Sequence, residues 1–515
     1  MILARPSDIK RVDSYAINDL KIPAIALMGR SGEAVYNVIA GIMPVGRVII
    51  FAGKGNNGGD GYALGCLLLE NKYSVKIYDV FSLGQRTKEG KYYLEKYASL
   101  GGEICSVGTD EELSLELANA DVVVDAIFGV GFAGSIENRI LSISGIISKA
   151  ENVTKIAIDV PLGVNADDGT VSKGALKVDK TISLAYLKRG LVSYPAAEFV
   201  GELILAPIGL PEEADMLVTA DCHYIDKALM NGLLPKRPEN SNKGSFGKTL
   251  LICGSDEYVG AAMLTLDSAL CSGVGYVNHI ISEKLKKEYY LRSFPEVIFH
   301  TSLSDDRSFD IEKITDLSSV NSSTLIGSGS GVSEEIADLT EALISTVASP
   351  LIIDADAINS IAKYKNAHIL KNAKRKIILT PHPAEFSRLS GIPVSDIQAN
   401  RLSVARSFAK DHGVILVLKG ARTVVTDGDM TYINSSGSSA LAKAGSGDVL
   451  SGLIASTTAY FNDPLEATAF SVYVHGLAAD ILSDEYSKYG VRPSELPKII
   501  SKIFREIEIT RGDSK

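Results

Sequence analysis

No uninterrupted apolar run in this chain reaches the ~18 residues that a membrane-spanning helix needs. Charges interrupt the N-terminus, "MILARPSDIKRVDSYAIND", where a secretory leader would carry its apolar core, so no signal peptide is expected. A basic excess is missing too: 52 Lys and Arg stand against 62 Asp and Glu, for a formal net charge of −10. A nucleic acid held through its phosphates needs a basic face, and no such partner is expected. A small anion remains admissible, because backbone N–H groups and a single lysine can hold phosphate locally. The five cysteines (Cys66, Cys105, Cys222, Cys253, Cys271) never form C-x-x-C. They read as buried free thiols in a reducing cytoplasm, not as disulfides or a zinc site. The seven histidines never form H-x-x-x-H or H-E-x-x-H, which argues against a transition-metal centre.

What is present is a long, ordinary globular composition: 515 residues, 46% hydrophobic and 22% charged. That length predicts two or more domains. Helical periodicity runs to about residue 45, in "IKRVDSYAINDL" and "SGEAVYNVIAGI" separated by "KIPAIALMGR". Strand-like runs then alternate with helices: "RVIIFAG", "SVKIYDV", "DVVVDAIFG", "TKIAIDVPLG", "KTISLAY" and "GELILAPIG". Continuous β-branched runs of this kind predict a mainly parallel sheet covered on both faces, with ligands at the carboxyl ends of its strands. A polar, proline-containing stretch breaks the rhythm, and the linker is placed at 212–240. A second series follows, with strands at "KTLLICGS", "YVNHIIS", "TLIGSGSG", "PLIIDADAIN", "KIILTPHPAEF" and "VILVLKG". "RTVVTDGDMTYINSSG" reads as a hairpin turning at Asp427-Gly428, and two long helical patterns start near Asp448 and Pro464. The fold class is α/β, with domains at 1–211 and 241–515.

One stretch poses the functional question. In "RVIIFAGKGNNGGDGYALG", Gly53, Gly55 and Gly58 match G-x-G-x-x-G, and Asp79 follows 21 residues beyond Gly58. Spacing alone makes this the dinucleotide fingerprint of a dehydrogenase. The x positions disagree. A pyrophosphate wants small residues there, and this loop carries Asn56, Asn57 and Asp60, oxygen-bearing groups that suit a hydroxylated ligand or a hard cation. Gly55 and Gly58 read as turn-makers. Asp125 and Asp159 each end a strand before a glycine-containing loop. Each alone is as readily a loop-starting polar residue, but together with the asparagines they suggest an acid/base group beside a cation.

The second half has sharper signals. "AGSGDVLSG" sets small residues before a helix with Asp448 in its first turn, which makes an anion hole; a simple N-cap is the alternative, but it does not explain the three small residues in front. Lys419 ends a strand in "LVLKGARTVVTDG", as a phosphate contact or a surface lysine. His382 lies between two prolines, with a buried structural histidine as the alternative. Asp354 and Asp356, in "IIDADAIN", are placed near a nucleotide–magnesium complex.

Taken together, these motifs resemble one family along essentially the whole chain. "AGKGNNGGDGYA", "VDAIFGVGFAG", "AIDVPLGVNADDGT" and "YLKRGL" are similar to the NAD(P)H-hydrate epimerase domain. "GSDEYVGAAMLTLDSAL", "DADAIN", "LTPHPAEFSRL", "VLKGART" and "AGSGDVLSG" are similar to the ADP- or ATP-dependent NAD(P)H-hydrate dehydratase domain. The resemblance implies a Rossmann-like three-layer αβα domain followed by a ribokinase-like αβα domain. It implies repair of NADH and NADPH hydrated at the nicotinamide 5,6 double bond: the first domain interconverts R and S epimers, and the second phosphorylates the S hydroxyl and eliminates phosphate. Bacterial and archaeal members are expected to use ADP, eukaryotic ones ATP, with Mg2+.

The same resemblance implies the site residues. Hydrate binding in the first domain falls on Asn56, Asn57, Gly58, Gly59, Asp60, Gly129, Val130, Gly131, Phe132, Ala133, Gly134, Ser135 and Asp159. Asp159 is the expected proton-transfer group at C6, with Lys188 behind it. A potassium site falls on Asn57, Asp125 and Leu162, where the family usually has Ser; "LMGRSG" replaces the usual "LMERAG". Hydrate binding in the second domain falls on Ala261, Gly329, His382 and Asp448, with Asp448 catalytic. The nucleotide falls on Lys419, Gly420, Ala421, Arg422 and Thr423, and on Ser438, Ser439, Ala440, Leu441, Ala442, Lys443, Ala444, Gly445, Ser446 and Gly447. Lys443 departs from the family pattern, to pair with a phosphate or to be solvated. A homo-oligomer in the cytoplasm is expected. Two other readings stay open: a ribokinase-type small-molecule kinase with a binding domain in front, and a first domain that binds without catalysing.

Overall fold

The computed structural model describes residues 1–81, 86–282, 286, 294–303, 309–346 and 348–512. The chain divides into two compact units, Ile2–His223 and Tyr224–Lys515, the second also including Met1. The division at 223/224 falls inside the stretch assigned to the linker. That stretch carries short structure of its own, including a helix at Lys227–Leu233.

In the first unit, seven parallel strands run β1 (Arg47–Ala52), β2 (Ser74–Asp79), β3 (Glu103–Ser106), β4 (Val122–Ala126), β5 (Thr154–Ile158), β6 (Lys180–Leu184) and β7 (Glu202–Ala206). Their order is β3-β2-β1-β4-β5-β6-β7. Side chains alternate across a strand, and β1 shows what that does here. Val48, Ile50 and Ala52 enter one apolar cluster with Val35, Ile39 and Leu64, while Ile49 and Phe51 enter another with Leu113, Ile140 and Ile143. Both faces are therefore covered by helices, and the β-branched runs need no polar side. The order reverses direction at β1 and β4, so the loops after these two strands diverge and leave a crevice at the carboxyl edge. β3 was not expected from sequence: "EICS" is short and its residues are exposed or half-buried. The second N-terminal helix begins at Ala24, so most of "KIPAIALMGR" belongs to it.

The second unit has β9 (Lys248–Ile252), β10 (Tyr276–Ser282), β11 (Val297–Leu303), β12 (Ser323–Ile326), β13 (Leu351–Ile353), β14 (Ile377–Leu379), β15 (Ile415–Leu418), β16 (Val424–Thr426) and β17 (Thr431–Ile433). With β8 (Cys222–Tyr224) they form a sheet ordered β11-β10-β9-β12-β13-β14-β15-β16-β17-β8. Pairing is parallel from β11 to β15 and antiparallel from β15 to β17. The expected hairpin forms, with Gly428 at φ +97° and the Asp427 side chain accepting from the Asp429 and Met430 N–H groups. The helix at Asp448 is shorter than expected, Ser446–Thr457, and the C-terminal pattern resolves into Pro464–Gly490 and Leu496–Thr510. Among the described residues no helix is long and apolar enough to cross a membrane. Among the described residues no cysteine is in a disulfide, and Cys105 and Cys271 are only partly buried.

Candidate active sites

At the carboxyl edge of the first sheet, β1 runs into the helix Asn56–Glu70 with hardly any room to spare. A Cβ on Gly53 would stand 1.9 Å from the Ile127 carbonyl, and one on Gly58 would stand 1.9 Å from the Gly53 carbonyl. Gly58 is therefore not a turn-maker. It sits in the first helical turn, where only a hydrogen lets the helix approach the strand. The close approach brings Asn57 against the loop after β4, with a Cβ on Gly129 3.3 Å from the Asn57 Cβ. Asn57 Nδ2 donates to the Phe128 carbonyl at 2.7 Å, while its Oδ1 is buried without a hydrogen-bond partner. Along the same loop Phe132 stacks on Phe128 at 5.0 Å, and Gly131, Ala133, Gly134 and Ser135 are exposed.

Asp125, on β4, is 1% exposed. Burial pushes its carboxyl up to about 6, against N–H bonds from Ile127 (3.1 Å) and Leu162 (2.6 Å) that favour the charge. Leu162 gives this cluster only its backbone. Its side chain lies in the core with Ile136 and Leu176, and its carbonyl accepts from Leu176 N–H at 2.9 Å.

Asp159 follows β5 with φ +67°, a left-handed conformation that turns its carboxylate back over the sheet edge. Oδ1 accepts from the Leu184 N–H at 3.0 Å and pairs with the Lys188 ammonium. Lys188 is 1% exposed, and its ammonium also donates to the Leu184 carbonyl at 2.8 Å. Asp60 faces the same pair but has no cationic partner among the described residues. Burial, then the like charges of Asp159 and Asp13, drive its carboxyl well above the usual carboxylate range. Asp13 was missed from sequence, where it is one acid on an amphipathic helix and nothing marks it.

Asp79 is where a dehydrogenase would hold ribose hydroxyls. Here its carboxylate, 3% exposed, is joined to the Arg86 guanidinium. The fingerprint matches in spacing, but its acid is already paired.

In the second unit, β13, β14 and β15 deliver Asp354, Thr380 and Lys419 to one point. Lys419 Nζ donates to Asp354 Oδ1 at 3.1 Å and stands 3.9 Å from Glu385. Burial works against the ammonium, but Asp354 and Glu385 outweigh it and hold Lys419 above its ordinary value. Thr380 Oγ1 and Ser328 Oγ donate to the two Asp354 oxygens at 2.6 and 3.3 Å. Lys419 is thus no surface lysine: a Cβ on Gly447, in the first turn of Ser446–Thr457, would lie 3.5 Å from its Nζ. Asp448 belongs to the same cluster. Burial, then the negative charges of Asp354 and Asp356, push its carboxyl up to about 7, with Lys419 opposing.

Gly329, at φ +64°, packs against helix Val259–Leu270, where its Cβ would stand 2.6 Å from Ala261 Cβ. Those two expected hydrate contacts are therefore neighbours. His382 is not buried. It caps the helix Pro383–Ser390, with Nδ1 accepting from the Ala384 and Glu385 N–H groups at 3.1 and 3.3 Å. The hydrogen therefore sits on Nε2, 3.4 Å from Glu385. Burial, Lys419 and Arg388 hold the ring below its ordinary pKa, against Glu385. Glu385 was missed, although its place three residues after the capping position is a readable capping-box signal. The Lys443 ammonium donates to the Tyr489 and Val491 carbonyls at 2.6 and 2.5 Å.

Comparison with known proteins covers both units. A family model described as NAD(P)H-hydrate dehydratase matches residues 249–502, and one described as YjeF-related protein N-terminus matches 24–190. The chain is 31% identical over 526 aligned positions to the bifunctional NAD(P)H-hydrate repair enzyme Nnr of Moorella thermoacetica, covering 99% of this chain and 97% of that one. It is 32% identical over 517 positions to the Thermofilum pendens enzyme of the same name, covering 98% and 97%. A crystal structure of ADP/ATP-dependent NAD(P)H-hydrate dehydratase from Bacillus subtilis, co-crystallised with ATP/Mg2+, matches at TM-score 0.50 and 29% identity, covering 55% of this chain and 98% of that one.

Proposed function

The chain belongs to the bifunctional NAD(P)H-hydrate repair enzymes, which join an epimerase to a dehydratase, and on that premise we propose which residues perform each step. The observation that carries the assignment is the pair of buried carboxylate–lysine centres, Asp159–Lys188 and Asp354–Lys419, one at the sheet edge of each unit. Domain limits of 1–211 and 241–515 go with this reading.

Hydration of the 5,6 double bond puts a hydroxyl on C6, next to the ring nitrogen. Such a carbon inverts by opening and reclosing, with a proton leaving the hydroxyl oxygen and returning. Asp159 is the group for that transfer. Lys188 and the Leu184 N–H fix Oδ1 and leave Oδ2 to meet the substrate. Asn56 to Asp60 and Gly129 to Ser135 hold the hydrate. We assign the potassium ion to Asn57, Asp125 and Leu162, the last through its backbone alone: among the described residues Asn57 Oδ1 is buried without a hydrogen-bond partner, and Asp125 is a buried carboxylate with no cation beside it. Bound there, the ion would supply positive charge to the substrate's phosphates.

In the second unit Asp448 takes the proton from the C6 hydroxyl of the S form as that oxygen attacks the terminal phosphoryl group. Lys419 and the free N–H groups at the start of Ser446–Thr457 stabilise the charge on the transferring phosphate. Phosphate then departs from C6, a proton leaves C5, and the double bond returns. Hydroxide is a poor leaving group and phosphate a good one, which is why a nucleotide is consumed. ADP or ATP would serve as donor together with Mg2+; the Bacillus subtilis relative was co-crystallised with ATP/Mg2+. Tyr489 and Met216, 93% and 88% exposed, offer apolar surface for a cytoplasmic homo-oligomer, which light scattering checks.

The test is repair itself. The full chain, given Mg2+ and ADP or ATP, restores the near-ultraviolet absorbance of NADH to a mixture of R and S hydrates. Recovery with neither nucleotide defeats the reading of the second unit. Recovery that stops when the S form is spent defeats that of the first.

A further inference from the structure

Arg401 is the largest fully buried side chain in the molecule, 2% exposed, and no carboxylate pairs with it among the described residues. A guanidinium taken out of water without a counter-charge is costly. Burial alone lowers its pKa to about 10. Hydrogen bonds satisfy it only in part: Nη1 donates to Gln398 Oε1 at 3.0 Å, and Nη2 to the carbonyls of Leu418 (2.9 Å) and Lys419 (3.1 Å), while Nε has no partner among the described residues.

Those two carbonyls belong to the strand end that leads into "KGART". The next carbonyl, of Gly420, accepts from Thr423 Oγ1 at 2.8 Å. Three consecutive carbonyl oxygens are thereby held by protein donors. The amides behave oppositely. The Lys419 N–H is taken by the Pro381 carbonyl at 3.0 Å. The N–H groups of Gly420, Ala421 and Arg422 meet no acceptor among the described residues, Gly420 and Ala421 are exposed, and Thr423 is buried where it closes the turn. Gly420 has φ +138° and rests on the guanidinium, its Cβ position 3.1 Å from Nη2. A run of backbone N–H groups without acceptors makes an anion-binding concavity.

We propose that Arg401 is a positioning residue for the nucleotide: by drawing the Leu418 and Lys419 carbonyls inward, it turns the amide edge of Gly420–Arg422 outward as a nest for phosphate oxygens. The inference rests on the nucleotide-dependent reading of the second unit. It extends that reading to a residue the phosphate never touches. The buried positive charge, lacking an acid, also gains its counter-charge when the phosphates arrive.

The experiment compares Arg401→Lys and Arg401→Met with the unaltered full-length protein. Dehydration is followed at varied ADP and at varied ATP, and the thermal shift produced by ADP or by inorganic pyrophosphate is measured alongside. Lysine keeps the charge but cannot span the carbonyls and Gln398 together. Nucleotide KM is expected to rise about 10-fold for Lys and about 100-fold for Met, about 1.4 and 2.7 kcal/mol of binding. kcat should stay within about 3-fold, and the pyrophosphate-induced shift should shrink in the same order. An unchanged KM and pyrophosphate shift, with only the ligand-free melting temperature lowered, overturns the proposal and leaves Arg401 a structural residue. If Met does not fold, Lys alone decides between these outcomes. Absence of repair by the unaltered protein would be a failure of the parent reading instead, since the pyrophosphate shift reports on the nest without turnover.

Discussion

Both units set glycines at a helix N-terminus, at Asn56–Glu70 directly after β1 and at Ser446–Thr457 after the loop that follows β17. The backbone device is the same, and in each the free N–H groups and the helix dipole favour negative charge. The surrounding side chains differ. Around the first helix stand oxygens: Asn57 Oδ1, Asp60, Asp125 and Asp159, with the one buried ammonium, Lys188, already committed to Asp159. Around the second, a lysine reaches the helix turn itself: Lys419 Nζ lies against Gly447 and is held there by the carboxylates of Asp354 and Glu385, with Asp448 in the same cluster. The first end, with its ammonium already paired, suits a hydroxylated substrate, a proton carrier and a monovalent cation. The second, with an ammonium on the helix turn and a carboxyl beside it, suits a phosphoryl group in transfer. A glycine loop at a helix start therefore specifies a polar ligand, and the side chains delivered by neighbouring strands specify which one.

The strongest way to break this comparison is to remove the two carboxylates in turn. Asp448→Asn is expected to lower dehydration by about 10²–10⁴-fold and leave epimerisation intact, and Asp159→Asn to do the reverse. Rates measured on separated R and S hydrates check both; loss of both activities from either change would undo the division of labour. Asn57→Ala should abolish epimerisation and any potassium dependence while sparing the dehydratase.

The pH dependence is the next largest effect. With the Asp448 carboxyl at about 7, the base is mostly protonated in acid. Dehydration should rise about tenfold per pH unit below 7 and level off above it, while a profile flat from pH 5 to 8 would rule out Asp448 as the base. The stability effect has the opposite sign. The folded pKa lies above the unfolded value of 3.8, so the stability this group contributes is present below about pH 3.8 and lost as pH rises through 7. Asp448→Asn should therefore melt higher than the unaltered protein at pH 8 and no higher at pH 4.

A smaller change tests the core of the first unit. Leu162→Ser restores the residue usual in the family, but it empties a fully buried site. A loss of about 2–4 kcal/mol in urea unfolding of that unit is expected. Lys443→Ala should do least, shifting nucleotide KM by less than about 3-fold, because its ammonium is spent on the Tyr489 and Val491 carbonyls. A tenfold rise would return Lys443 to the phosphate site.

Much of the fold is legible in the residues themselves. The β-branched runs that become β1, β4, β5, β9, β12 and β15 are apolar on both alternating faces, which only a covered parallel sheet accommodates. The misses were β3, which has weak apolar content, β11, whose apolar start "VIF" runs into the polar "HTS", and boundaries where a proline begins a helix, as before Ala24. The site positions Asn57, Asp125, Asp159, Lys419 and Asp448 are visible because each lies at a strand end or helix start, where a local pattern records the geometry.

What the local pattern does not record is who faces whom across the fold. Asp79 fits a dinucleotide fingerprint until Arg86 is found on its carboxylate. Asp13 is an ordinary helix acid until its charge is seen acting on Asp60. Lys443 has the composition of a phosphate ligand but the contacts of a helix clamp. Arg401 carries no motif at all, and acquires a part only because β15 ends directly above it. Hydrophobic periodicity and backbone turns are short-range properties and can be read along the chain. Charge pairing and desolvation act through space, whether the partners are near in the chain, as Asp79 and Arg86, or far apart, as Asp13 and Asp60, so only the tertiary structure decides them.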